Sequence, residues 1–434
     1  MTTPATELPA TLTVCLWDFT WFTQTRPGEP LHDLDAALQQ TVDRGYNTVR
    51  LCAAPLLLFG EHDLDTSALT FAPVAEGVGQ GTRWYNVAGG DTLDLRARLL
   101  ELFRLAEKHG VFVIVSSWED QQNPAFLDDP SWHDMLSAIA PEERCLALAR
   151  SLSRLIDFLA GHDLADRVAY VELHNEVDLS RLREVAEPGA DVFWALRPYL
   201  EEALGRFQED HPEVLSTVCY GVPPHLDLDA VPENAQVAHA HFYVYGVLGA
   251  LESWAGVRAE PPVFPSPELV SLLRDDAPAF EDWSASIAPW RRDATGISPS
   301  MFYAYDWVDP QKWDAWLERE YADHRSSMQA AIDERLQAFA DLAWERGIPA
   351  VVGEGWIGYT PLHADFEDGP LGRQLAEHAV RRCAELGYWG TIAGSNSAPH
   401  HPGWNNIAFQ RSVNGLFRES ASRPPEREAC IESR

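Results

Sequence analysis

The stretch Val168–Asp178, VAYVELHNEVD, decides the fold. An apolar, β-rich run passes directly into the polar triplet His174-Asn175-Glu176, as a buried parallel strand does when it delivers side chains to a site. A carboxylate there, beside an amide, is a candidate general acid. Pro349–Trp356, PAVVGEGW, repeats the pattern and brings Glu354 to the end of a second short apolar run. Either Glu alone reads most simply as a loop residue. As a pair, each carried to the C-terminal end of a strand, they supply the two carboxyls that sugar chemistry needs.

Working outward, the same unit recurs: helix, glycine, short apolar strand. Leu95, Leu99, Leu102, Phe103 and Ala106 fall on one face of a 3.6-residue period, within a helix predicted over 91–109. Gly110 follows as its cap, then the strand VFVIVSS. Leu148, Leu152, Leu155, Ile156 and Leu159 repeat the face, with Gly161 after them. Further strands are predicted at 12–17, 46–51, 215–220, 235–243, 350–353 and 389–394. Eight strands alternating with helices predict an α/β chain folded as a (βα)8 TIM barrel, one catalytic domain over 1–434. Between strands six and seven the connection is far too long for one loop and one helix. A helix is expected over about 311–344, with some interruption. The remainder, 244–310, is an aromatic-rich insertion holding Trp254, Trp283, Trp290 and Trp307. Because it follows a strand, it is expected on the catalytic face, as a lid or subsite wall. The segment 418–434 reads as a flexible tail.

Lys and Arg number 33 against 66 Asp and Glu, a formal net charge of −33. That argues against nucleic acid and anionic membrane surfaces as partners and fits a small neutral or cationic substrate. No basic segment followed by an apolar one opens the sequence, and no apolar run approaches a membrane span. The six cysteines are scattered without C-x-x-C spacing, so a reducing cytoplasm is the expected location. No G-x-G-x-x-G follows the first strand and no P-loop is present. No cofactor is implied.

On these residues the chain resembles the clan A glycoside hydrolases, and most closely the cellulase-like members near family 5. That family has an Arg on strand two, matched by Arg50 in NTVRL. An Asn-Glu pair ends strand four, here Asn175-Glu176; a His-x-Tyr ends strand six, here His241-Phe242-Tyr243; a Glu ends strand seven, here Glu354. The resemblance implies a retaining mechanism with Glu176 as acid/base and Glu354 as nucleophile. Arg50 and Tyr243 would hold Glu354 ionised, and Asn175 would meet the sugar 2-hydroxyl. His241 would position the acid or a hydroxyl, and the negative charge of Glu354 would help to raise the pKa of Glu176. Outside the family context Arg50 reads as a buried ion pair, and His241 and Tyr243 as core residues. Two departures bear on the substrate. Ser117-Trp118-Glu119 stands where the family often has a His, and strand eight runs into GSNSAPHHPGW, so Asn396, His400 and His401 precede Trp404. Asp18, Trp118, Asn175, Tyr243, Asn396 and a Trp of the insertion are expected to line the cavity with both Glu residues.

The function expected from all this is a retaining β-glycosidase, exo-acting on a short oligosaccharide or small glycoside. One alternative is a sugar-binding barrel without turnover, against which the intact Glu pair argues. Another is a metal-dependent barrel hydrolase. The His-x-His of such enzymes is missing after strand one and occurs here only on strand six, as His239 and His241. The adjacent His400 and His401 are poorly spaced as metal ligands, and no catalytic metal is expected.

Overall fold

The computed structural model describes residues 8–395 and 397–421. Its centre is a barrel of eight parallel strands: β1 (Leu12–Asp18), β2 (Thr48–Cys52), β3 (Phe112–Ser116), β4 (Val168–Glu172), β5 (Ser216–Thr217), β6 (Ala238–Tyr243), β7 (Ala350–Trp356) and β8 (Gly390–Ile392). Each pairs with its sequence neighbour, and β8 pairs with β1. The ring closes between β5 and β6 through the parallel bridge Tyr220–Ala240, where the His241 N–H donates to the Tyr220 carbonyl at 2.9 Å. β5 is short because only Ser216 and Thr217 keep the ladder, although 215–220 is apolar enough to suggest more.

Among the described residues, seven helices surround the strands: α1 (Leu34–Asp43), α2 (Leu95–His109), α3 (Arg144–Ala160), α4 (Val192–Asp210), α5 (Pro310–Arg346), α6 (Pro370–Glu385) and α7 (Ile407–Ala421). The β5–β6 connection holds only a 3-10 turn, Leu228–Ala230. α2 buries the five residues that its periodicity selects, but it starts at Leu95. The Asp94 carboxylate accepts from the Ala97 N–H at 2.9 Å and so fixes that end, a cap generally worth about 1 kcal/mol. Residues 91–93, expected in the helix, pair instead with Leu69–Phe71 as an antiparallel ribbon. α5 corrects the expected interruption. Nothing between Gln311 and Arg346 is Gly or Pro, and the helix runs unbroken for 37 residues from an Asp309 cap to a left-handed Gly347. The expected tail is also corrected in part, since α7 extends through Ala421; residues 422–434 lie outside the described residues.

The insertion 244–310 folds into short helices, the first being Gly246–Ala255. It reaches loops that follow three different strands. Arg291 donates to the carbonyls of Pro73, Val74, Leu127 and Asp128. Asp306 accepts from the Gly79 and Gly81 N–H groups at 2.7 and 2.5 Å, and the Tyr305 hydroxyl donates to the Tyr359 carbonyl at 2.9 Å. These loops follow β2, β3 and β7, so the insertion lies across the C-terminal mouth of the barrel.

Candidate active site

Inward-pointing residues of alternate strands meet at that mouth. On β4 the pleat turns Tyr170 and Glu172 inward, and on β6 it does the same for His239, His241 and Tyr243. β7 carries an irregularity in its pairing with β6: Ala240 pairs with Val352, but His241 pairs with Glu354. Gly353 is the extra residue. A Cβ there would fall 2.2 Å from His239 Nε2, so only glycine lets the two histidines pack against β7. The bulge aims Glu354 into the barrel. Glu176 lies just beyond β4 with φ of +46°, a left-handed conformation that is costly for a side-chain-bearing residue and concentrates at functional sites. Gly221 makes room for its carboxyl, since a Cβ there would stand 2.8 Å from Glu176 Cδ.

The two carboxyls belong to one closed ring of polar contacts. Arg50 Nη1 donates to Glu354 Oε1 at 2.6 Å, and the Tyr243 hydroxyl donates to Glu354 Oε2 at 2.7 Å. Arg50 Nη2 donates to Asn175 Oδ1 at 2.7 Å, and Asn175 Nδ2 donates to Gln121 Oε1 at 2.8 Å. Gln121 Nε2 then donates to Glu176 Oε2 at 2.8 Å. On the other side His241 closes the ring, with Nδ1 at 2.9 Å from Glu176 Oε1 and Nε2 at 3.5 Å from Glu354 Oε1. An oxygen of each Glu and a ring nitrogen of His241 lie within 4.8 Å of one another. Arg50 is also held from below by Glu172, at 2.8 Å through Nε and 2.9 Å through Nη2.

Electrostatics separates Glu172 from Glu176. Burial would raise Glu172, but the Arg50 guanidinium, with His239 beside it, outweighs burial and holds it at about 2. Burial raises Glu176 above the usual carboxylate range. The Gln121 hydrogen bond and Arg50 oppose the shift, while Glu172 adds to it. Burial lowers His241 to about 4, which keeps it neutral.

Of the residues expected on the cavity wall, Asn175 and Tyr243 join the ring. His241 does so as well. Two others are buried, as Asn175, Tyr243 and His241 themselves are. Asp18 has no exposed surface, and its Oδ1 accepts from the Thr20 N–H at 2.7 Å. Trp118 is buried, its ring 4.6 Å from the Arg50 guanidinium carbon, so it caps that cation. Asn396 lies outside the described residues. The four tryptophans of the insertion are engaged elsewhere: Trp254 against Trp316, Trp283 against Tyr303, Trp290 near His133, and Trp307 under Arg274. The aromatic that the insertion brings beside the ring is Tyr245, 6.3 Å from Tyr243 between ring centres. His174 serves structure. Its Nε2 accepts from the Asp120 N–H at 3.0 Å, and its Nδ1 faces the Asn175 carbonyl at 2.5 Å.

Glu172, Gln121 and Gly221 were not singled out by the sequence. Glu172 had a signal, a charge in the middle of an otherwise apolar strand. Gln121 and Gly221 had none, because each is an ordinary loop residue until the loops after β3 and β5 are placed beside Glu176.

Buried acids around this site give the protein a pH-dependent stability. Burial raises Asp178 and Glu119 to about 7 and Asp120 to about 6. Each contributes stability that is complete below its unfolded pKa and is lost as pH rises through the folded value. Glu172, lowered to about 2, contributes stability that is present above its unfolded pKa and lost as pH falls toward 2. Thermal melts are expected to peak near pH 5 and fall by several degrees at pH 8. A midpoint that rises steadily from pH 5 to 8 contradicts these assignments.

The C-terminal mouth of the (βα)8 barrel thus carries a two-carboxyl site with an Arg-Asn-Glu, His-x-Tyr and Glu framework. In agreement, residues 14–223 match the model of the Cellulase-like family, described as sugar-binding cellulase-like. The match spans β1 to β5 and includes Arg50, Asn175 and Glu176. No curated protein matches the sequence. Among solved structures, a candidate glycoside hydrolase from Parabacteroides distasonis shares 17% identity, with 94% of each chain covered and a TM-score of 0.66. That likeness establishes the shared fold. A family 5 mannosidase from Rhizomucor miehei shares 10% identity over 95% of this chain and 94% of its own, with a TM-score of 0.47. An endo-1,4-β-D-mannanase from Thermotoga petrophila shares 12% over 88% and 87%, with a TM-score of 0.42.

Proposed function

We propose that the protein is a retaining β-glycoside hydrolase, with Glu354 as nucleophile and Glu176 as acid/base, exo-acting on a short oligosaccharide or small glycoside in the cytoplasm. The observation that carries this reading is the approach of the two carboxyls to within 4.8 Å, oxygen to oxygen. Retaining enzymes hold their carboxyls about 5 Å apart, whereas inverting enzymes leave room for a water at roughly 6.5–9.5 Å. Arg50 and Tyr243 occupy both oxygens of Glu354 and orient it as an attacking carboxylate. Burial keeps Glu176 inclined to hold a proton, as a general acid must. The insertion across the mouth favours exo-action, and the buried, unpaired state of Cys15, Cys52, Cys145, Cys219 and Cys383 favours a reducing compartment.

The family description favours a second reading, a sugar-binding barrel without turnover. A screen of 4-nitrophenyl β-glycosides decides between them, followed by NMR of the first anomer released. A released β-anomer supports the retaining mechanism, an α-anomer overturns it, and binding without any release supports the second reading. Gln121 gives a finer check. Gln121→Ala removes a hydrogen bond that favours ionised Glu176, so the alkaline limb of the kcat/KM profile is expected to move to higher pH. The loss in kcat/KM should be about tenfold, as for a hydrogen bond to a charged group. An alkaline limb that moves to lower pH shows that Gln121 does not stabilise the ionised acid.

A further inference from the structure

His241 also belongs to a second group of side chains. Cys219, just past β5, and His239 and His241 of β6 are all buried, and each offers a ligand atom within 4.8 Å of those of the other two. The Cys219 thiol is free, and its Sγ lies 3.9 Å from Arg50 Nη2. Each imidazole is held through one nitrogen only. His239 Nδ1 lies 2.7 Å from the Tyr170 hydroxyl, and His241 Nδ1 lies 2.9 Å from Glu176 Oε1. The Nε2 atom of each is buried and has no hydrogen-bond partner among the described residues. Glu172 Oε1 stands 3.5 Å from the first and Glu354 Oε1 3.5 Å from the second, too far for a good hydrogen bond. Both Nε2 atoms face one point: a Cβ on Gly353 would fall 2.2 Å from that of His239 and 3.2 Å from that of His241.

An imidazole fixed at Nδ1, with Nε2 left unpartnered, is how histidines are held when they ligate a metal. A thiolate with two imidazoles selects zinc or another thiophilic dication over magnesium and calcium, which take oxygen ligands. Ligand atoms around tetrahedral zinc stand roughly 3.5 Å apart, so the three groups need to close by about 1 Å. A carboxylate oxygen 3.5 Å from either imidazole can fill the fourth position. Charge fits as well. Arg50 carries one positive charge against the carboxylates of Glu172 and Glu354, and a thiolate adds a third negative charge, so a dication brings the group to balance. Burial raises the Cys219 thiol and keeps it protonated, but a coordinated ion displaces that proton outright. Entry is from the barrel mouth, past the Glu176 and Glu354 side chains, which keep 13% and 8% of their surface exposed.

We propose that Cys219, His239 and His241 form an inhibitory site for a thiophilic dication such as Zn2+. An ion on His241 Nε2 makes the ring a fixed Nδ1–H donor with cationic character. Glu176 beside it then stays ionised and cannot protonate a leaving group. The inhibition rests on the hydrolase reading above; the binding does not. The test uses the whole protein in thiol-free buffer, with Zn2+ alone as inhibitor and Co2+ alone as spectroscopic probe. The wild type is expected to show a near-ultraviolet thiolate-to-cobalt band. It should also lose activity on its best 4-nitrophenyl β-glycoside as Zn2+ is added, and regain it with a chelator. Cys219→Ala should abolish the band. Cys219→Ala and His239→Gln should each raise the Zn2+ concentration for half-inhibition at least tenfold, measured against that variant's own metal-free rate. The two positions are separate, so one misfolded variant leaves the other to decide. A wild type without the band overturns the site. So does half-inhibition unmoved in the folded variants, which places the ion on Glu176, His241 and Glu354 instead. A band lost in Cys219→Ala, with a wild-type rate that Zn2+ leaves unchanged, overturns the inhibitory role. A wild type that cleaves no glycoside overturns the hydrolase reading, and the cobalt band still decides whether the site binds.

Discussion

Arg50→Ala is expected to cost about 3–5 kcal/mol of stability and to lower kcat by two to three orders of magnitude, with a smaller change in KM. The reason is the number of groups that one guanidinium holds. It has no exposed surface, and it donates to Glu172, Glu354 and Asn175 at once. Its removal leaves two carboxyls in a buried setting without their cation, and the cost of such an unpaired charge exceeds what the pair itself contributes. Catalysis suffers because the Glu354 carboxyl loses one of its two orienting donors while Tyr243 still holds the other. A lost orienting contact that matters mainly in the transition state lowers kcat more than it raises KM. Arg50→Lys should recover little, since an ammonium is a compact point charge and cannot span three acceptors in one plane. Denaturant unfolding and steady-state kinetics on both variants measure the two effects. Unchanged turnover in a folded Arg50→Ala protein removes Arg50 from the catalytic arrangement.

The polar ring shows which parts of such a site a sequence displays. Asn175 and Glu176 lie just past β4, Tyr243 ends β6, and Arg50, His241 and Glu354 interrupt the apolar runs of β2, β6 and β7; in each case the polar residue against an apolar run is a local pattern. The strands themselves were legible for the same reason, as were the helical faces of α2 and α3. What was not legible is three-dimensional. Gln121 joins the ring only because the loop after β3 turns beside β4, and no feature of its neighbours announces that. Asp18 ends β1 and Trp118 lies just past β3, and both are buried. The Asp18 backbone takes a left-handed φ of +42°, and Trp118 finds a better partner in the Arg50 guanidinium than in solvent. The insertion follows β6, and its Arg291, Tyr305 and Asp306 tie it to loops after β2, β3 and β7. Its tryptophans were not placed, because large aromatic rings serve equally well as core material and as a sugar platform.

Substitutions of the two carboxyls are expected to have the largest effects of all, and to differ in kind. Glu354→Gly should reduce activity on every glycoside by roughly four orders of magnitude or more, because no covalent intermediate can then form. Glu176→Ala should depend on the leaving group. A dinitrophenyl glycoside departs without protonation, so the first step should stay fast on that substrate while slower release of the intermediate limits turnover. Poorer leaving groups should lose activity steeply. Added azide distinguishes the two roles by stereochemistry. In Glu176→Ala it attacks the glycosyl-enzyme from the open face and yields the β-glycosyl azide. In Glu354→Gly it enters the space left by the missing carboxyl and yields the α-azide by a single inversion. The local contacts lead to the same assignment: Glu354 is oriented by the strongest cation in the site and a phenol, while Glu176 is raised by burial and meets a neutral His241 and an amide. If the two variants exchange these products, the roles are reversed. If neither variant yields a glycosyl azide while the wild type turns over, the reaction does not pass through these two carboxyls.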